Sequence, residues 1–218
     1  MRSDAQLQRD VQAELEWDPA VSPAHIGVTA ADGIVTLTGH VASHAEKYAA
    51  ERAAQRVKGV KALAVEITVK LPAGGERTDA DIALAARHGL EWSALVPAGK
   101  VKPMVENGWV SLQGEVDWEY QRRAAETAVR DLMGVTGVSN LIKIIPKVKS
   151  ADIEKRLHDA LSRQAEREAG RIEVTVSGSE VFLKGQVHSW AELDAVQGAA
   201  WAAPGVTSVI NELMIVDD

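Results

Sequence analysis

At 218 residues the chain has room for one large domain or two to three small ones, and its 46% apolar content supports a packed core rather than disorder. A net charge of −7 makes nucleic acid a poor partner, and anionic membranes would need a local basic patch to overcome the same repulsion. With no cysteine, disulfides, thiolate metal sites and thiol nucleophiles are all excluded.

The opening residues, Met1 to Gln8, hold no apolar h-region, and no stretch approaches the roughly 18 apolar residues that span a bilayer. The expectation is a soluble cytoplasmic protein, or a periplasmic one if a signal peptide has been removed. Leu7, Val11 and Leu15 recur every four residues and predict an amphipathic helix, entered through the capping sequence Ser3-Asp4-Ala5-Gln6. Ile26–Ala30 is a predicted strand, followed by Ala31-Asp32-Gly33, a hairpin turn signal because Asp and Gly tolerate positive φ. A second strand, Val35-Thr36-Leu37-Thr38, ends at Gly39, where a bend or a close backbone approach is the usual cause. The next helix is expected to bury Ala45, Ala49, Ala53, Ala54 and Val57 and to stop at Gly59; a third strand runs through Val65.

The same order then returns twice. Gly39, Gly114 and Gly185 each close an alternating run, at intervals of 75 and 71 residues, and Gly59, Gly134 and Gly205 follow each by 20. Leu7, Val11 and Leu15 map onto Ile82, Ala86 and Leu90, and these onto Ile153, Leu157 and Leu161; Trp17 maps onto Trp92. Thr78-Asp79-Ala80-Asp81 is a second capping sequence. The first strands of the later copies are Val101–Val105 and Ile172–Val176, with turns Glu106-Asn107-Gly108 and Ser177-Gly178-Ser179; the early glycine of the last predicts a different turn. The second helices are expected to bury Tyr120, Ala124, Ala128, Val129 and Leu132 in copy two, and Ala191, Ala195, Ala199, Ala200 and Ala203 in copy three. Their final strands are Val138–Ile144 and Val209–Ile215.

Each unit therefore reads helix, strand, strand, helix, strand, an α+β module in αββαβ order. A hairpin followed by a βαβ crossover gives a mixed three-stranded sheet with both helices on one face. The predicted modules are 1–71, 76–145 and 148–218, joined by a flexible Leu71–Arg77 linker and a stiffer one containing Pro146. A bare three-stranded sheet leaves one face open, so modules are expected to pack on one another or on a second chain, and a homo-oligomer is one outcome.

The pattern G-x-V-x-L-x-G-x-V, a helix, then G-V-x-x-V-x-N-x-[IL]-x-[IV], resembles the BON domain. It stands as Gly108–Val116 with Gly134–Ile144, and as Ser179–Val187 with Gly205–Ile215, where Ser179 replaces the leading glycine. Copy one has Gly33–Val41 with Gly59–Val69, departing at Leu63 and Val65. The resemblance implies a non-enzymatic module of αββαβ order without a cofactor, found in osmotically inducible and envelope proteins and in a potassium-binding protein. The implied roles are contact with phospholipid membranes, envelope maintenance under osmotic stress and, in one branch, cation sensing. The three-module arrangement without a leader is similar to the cytoplasmic branch.

Few residues invite chemistry. His40 and His44 have the spacing that sets two imidazoles on one helical face for a metal, but Glu115, Glu119, Gln186 and Trp190 stand at the matching positions. A solvated helix start is expected there, and no metal site. His25, His88, His158 and His188 are scattered without a nucleophile motif, and Gly74-Gly75 lacks the lysine of a phosphate loop. Asp79 and Asp81 suit the positive end of a helix dipole. The candidate binding residues are Trp118, Arg122 and Arg123, an aromatic beside two cations that can seat at a lipid headgroup or partner surface. The plainer alternative has Tyr120 in the core, Trp118 shielding the helix entry, and the arginines paired with Glu119 and Glu126. Trp17 and Trp92 are expected to pack, and the basic 147–171 stretch, interleaved with acids, to be a solvated helix face. The function that follows is binding, not catalysis: a stress-associated adaptor touching phospholipid or a protein partner. The alternative is a potassium, calcium or small-ligand sensor using backbone carbonyls at a module junction.

Overall fold

The computed structural model describes residues 3–145 and 172–216. Ile153, Leu157, Leu161, His158 and the basic 147–171 stretch lie outside the described residues. Two compact units emerge: one holds the chain up to Glu115 with Tyr120–Ile142, the other Val116–Glu119 with the described residues from Lys143 onward.

In the first unit, α1 (Asp4–Trp17) is capped by Ser3, whose hydroxyl accepts from Gln6 N–H, and it buries Leu7, Val11 and Leu15 as their spacing predicts. After a 3-10 turn at Pro23–His25 come β1 (Ile26–Ala31) and β2 (Ile34–Val41), paired antiparallel from Ile26 opposite Gly39 to Ala31 opposite Ile34. Asp32 and Gly33 both take positive φ in the turn, the conformation that matches strand twist. α2 (His44–Arg56) crosses over, and β3 (Ala62–Val69) lies parallel to β2, so the sheet order is β1-β2-β3. Val35 and Leu37 on β2 are fully buried beneath the two helices, and Arg56 of α2 bonds Glu14 of α1 and Asp18 just past its end at 2.8 Å each.

The second module repeats this with α3 (Asp79–Trp92), β4 (Val101–Glu106), β5 (Trp109–Val116), α4 (Glu119–Arg130) and β6 (Gly137–Ile144), in sheet order β4-β5-β6. Thr78 and Asp81 form a full reciprocal capping box. The third sheet, in the second unit, is built from β7 (Ile172–Ser177), β8 (Glu180–Val187) and β9 (Ser208–Ile215), with α5 (Trp190–Ala202) between the last two. Here only Gly178 has positive φ in the turn, the type II′ pattern, so the third hairpin does differ from the other two. Its core joins Val174, Val181 and Leu183 to Val196, Ala199 and Ala200 of α5.

The in-register glycine does not end the middle strand, which continues two residues beyond it in each module, and in the first two modules its cause is steric. At Gly39, with φ 114°, a Cβ would collide with the His25 carbonyl oxygen, and at Gly114 with that of Lys100. Gly59 does not itself stop α2: the cap is Val57, already extended, and Gly59 turns the chain toward β3.

The expected burial of the second helices needs correction by about one residue. α2 buries Glu46, Ala50, Ala53 and Ala54 rather than Ala45 and Ala49. In α4 the buried residues are Glu119, Ala125 and Val129, leaving Tyr120 52% exposed, and in α5 Ala191 and Ala195 face solvent while Val196 is buried. Alanine on several faces carries no phase of its own, so the larger Val196 and Val129 set the buried stripe.

Candidate functional site

Trp17 and Trp92 do not pack. They are 82% and 89% exposed, the most exposed large apolar side chains among the described residues. The reason is helical phase: each stands two residues, about 200°, beyond the last member of its buried stripe, Leu15 or Leu90. Both end the first helix of their module, so the repeat presents the same indole twice. Around Trp17, Glu14 and Asp18 on either side are both bonded by the Arg56 guanidinium, which also keeps the Asp18 carboxyl below its ordinary pKa. Beside Trp92, Leu95 is exposed as well.

Of the residues singled out from sequence, Trp118 stands just ahead of α4 and is 36% exposed. Arg122 and Arg123 follow on α4, Arg122 partly covered and Arg123 exposed. The Arg122 carbonyl accepts from Asn140 Nδ2 at 3.0 Å, and Glu126 Oε2 accepts from the same amide at 3.1 Å. That asparagine, matched by Val65 in copy one, ties β6 to α4. Tyr120, which the plainer alternative put in the core, is exposed, and Glu119 is buried rather than on the surface.

His40 and His44, four apart in sequence, fall on two different elements. His40 lies on β2 and stacks on His25, ring centroids 4.7 Å apart and 14° from parallel. His44 opens α2 and is partly buried, not solvated: it makes a hydrogen bond to the Arg130 backbone, while its Nδ1 is buried with no partner among the described residues. One turn on, the Arg130 guanidinium sits 3.8 Å from the centroid of the Tyr48 ring, a cation–π contact joining the first module to the second. Burial holds the His44 pKa below its ordinary value and raises that of Glu51 on the same helix.

Asp79 has a task beyond the dipole: its two oxygens accept the Asn107 and Gly108 N–H groups at 2.8 Å, anchoring the second hairpin turn. This turn borders a shallow cleft completed by Leu71, Glu76, Arg77, Gly134 and Thr136. Among the described residues no three His, Asp or Glu side chains gather into a metal cluster, and no helix is long and apolar enough to cross a membrane.

The family model for the BON domain matches three times, at residues 3–70, 78–146 and 149–217. The chain is similar to osmotically-inducible protein Y of Escherichia coli, 30% identical over 148 residues that cover 64% of this chain and 72% of that protein. Two solved structures of CdsD, a structural protein of the type III secretion system of Chlamydia trachomatis, align at 15% and 14% identity. They cover 96% and 99% of this chain and 92% and 100% of theirs, each with a TM-score of 0.27, too low to define a shared architecture.

Proposed function

Since the chain belongs to the BON domain family over nearly its whole length, we propose that it is a non-enzymatic, stress-associated binding protein that contacts phospholipid surfaces through Trp17 and Trp92. The relative named for osmotic induction supports the stress association. The observation that carries the contact is the exposure of two indoles at equivalent positions, each at the end of a helix.

Indole suits a lipid interface because it joins a large apolar ring to one N–H donor that can stay with headgroups and water. Full burial of about 200 Å² at about 25 cal/mol per Å² is worth roughly 5 kcal/mol, and partial immersion a fraction of that, so two anchors give reversible attachment. The acidic net charge makes apolar insertion the driving term, with Trp118, Arg122 and Arg123 as an auxiliary headgroup contact.

Vesicle co-sedimentation tests this with zwitterionic and anionic phospholipid at low and physiological salt. Binding to zwitterionic vesicles should change little with salt and weaken in Trp17→Ser and Trp92→Ser variants. Absence of binding to either lipid at either salt would overturn the proposal.

A further inference from the structure

The sheet register brings His25 and His40 together where sequence spacing paired His40 with His44. Ile26 pairs with Gly39 across the antiparallel β1–β2 ladder, so the next positions outward, His25 and His40, are cross-strand neighbours. Gly39 makes the approach close, since any Cβ there would strike the His25 carbonyl. The imidazoles stack at 4.7 Å with a 14° tilt. At the equivalent place the second module has Lys100 and Glu115, an opposite-charge pair, so the twin imidazoles belong to the first module and not to the repeat.

We infer that His25 and His40 form a two-imidazole site for a borderline divalent cation of the Zn²⁺ or Cu²⁺ class. Metal–nitrogen bonds of about 2.0–2.1 Å let one ion bridge two nitrogens up to about 4 Å apart, and because imidazole lone pairs lie in the ring planes, the stacked rings must turn out of their stack about the side-chain torsions for both nitrogens to face one ion. His25 is exposed, leaving water to complete the coordination shell. Lys70 lies close enough to His40 for its charge to be felt there. Lys70 opposes the ion's charge, so its removal should tighten binding. Cu²⁺ should bind more strongly than Zn²⁺ by the usual order of divalent affinities.

Calorimetric titration of the untagged full chain with ZnCl₂ and CuCl₂ at pH 7.5 tests this, with circular dichroism confirming the fold of each variant. A single saturable site is expected. Its affinity should fall by about tenfold or more in His25→Ala and in His40→Ala, because one ligand loses the chelate partner. It should stay unchanged in His44→Ala and rise in Lys70→Ala. Electron paramagnetic resonance of the Cu²⁺ form should report two equatorial nitrogens, reduced to one in either single variant. Binding that is equal in wild type and a folded His25→Ala/His40→Ala variant would overturn the inference, as would no saturable heat for either metal.

Discussion

Glu46 offers a test of how the first module is held together. Its side chain is only 8% exposed, at the third position of α2. Oε1 accepts from Ser22 N–H and Oε2 from Ala42 N–H, both at 2.8 Å, while its own N–H is capped by the Ser43 hydroxyl. One carboxylate therefore staples the segment before β1 and the segment after β2 to the helix start. A hydrogen bond to a charged acceptor contributes about 1.5–3 kcal/mol. Ser22 and Ala42 are themselves exposed, so water reaches their N–H groups once the carboxylate is gone, and the low end applies. Glu46→Ala should thus cost about 3 kcal/mol. Glu46→Gln, which keeps one acceptor and turns an amide N–H toward the other donor, should cost about half of that. Urea unfolding followed by circular dichroism measures both, and the midpoint should move without a change in slope. A Glu46→Ala protein within about 0.5 kcal/mol of wild type would refute the staple.

Two further perturbations probe the same module. Gly39→Ala should destabilise by about 2–3 kcal/mol or more, because it joins a left-handed φ to a collision with a backbone carbonyl; an unchanged urea midpoint would contradict the close approach. His44 supplies a pH dependence. Burial lowers its folded-state pKa below the ordinary 6.5, against the Arg130 backbone bond and Asp131, which raise it, and together with the charges of Lys47 and Arg130. The unfolded chain then takes up the proton first, so stability should fall as pH drops below about 6.5 and should fall less in His44→Gln, by denaturation at pH 7.5, 6.5 and 5.5. An identical acid slope in the variant would show that His44 is not the buried group.

The module order, hairpin turns and middle strands were legible because each follows a local rule: alternation, a four-residue stripe, or paired turn residues with positive φ. Two features of the surface were hidden for different reasons. The exposure of Trp17 and Trp92 was available in the sequence, since the phase set by Leu7, Val11 and Leu15 turns residue 17 outward; residue type pulled the expectation toward burial while geometry decided otherwise. The partner of His40 was not available from spacing, because cross-strand neighbours are fixed by register, and His25 is separated from His40 by a whole hairpin. The phase of α2 and α5 was obscured by alanine on every side. Even so, the buried Glu46 could have been suspected from Ser43, three residues ahead of it in a capping arrangement.

The most direct measurement of the account is fluorescence quenching by phospholipids brominated along their acyl chains, comparing wild type with the Trp17→Ser/Trp92→Ser double variant. The account predicts that vesicles blue-shift and quench the wild-type emission, and that this response disappears in the variant although four of the six tryptophans remain. Equal quenching in the two proteins, or none in either, would contradict it.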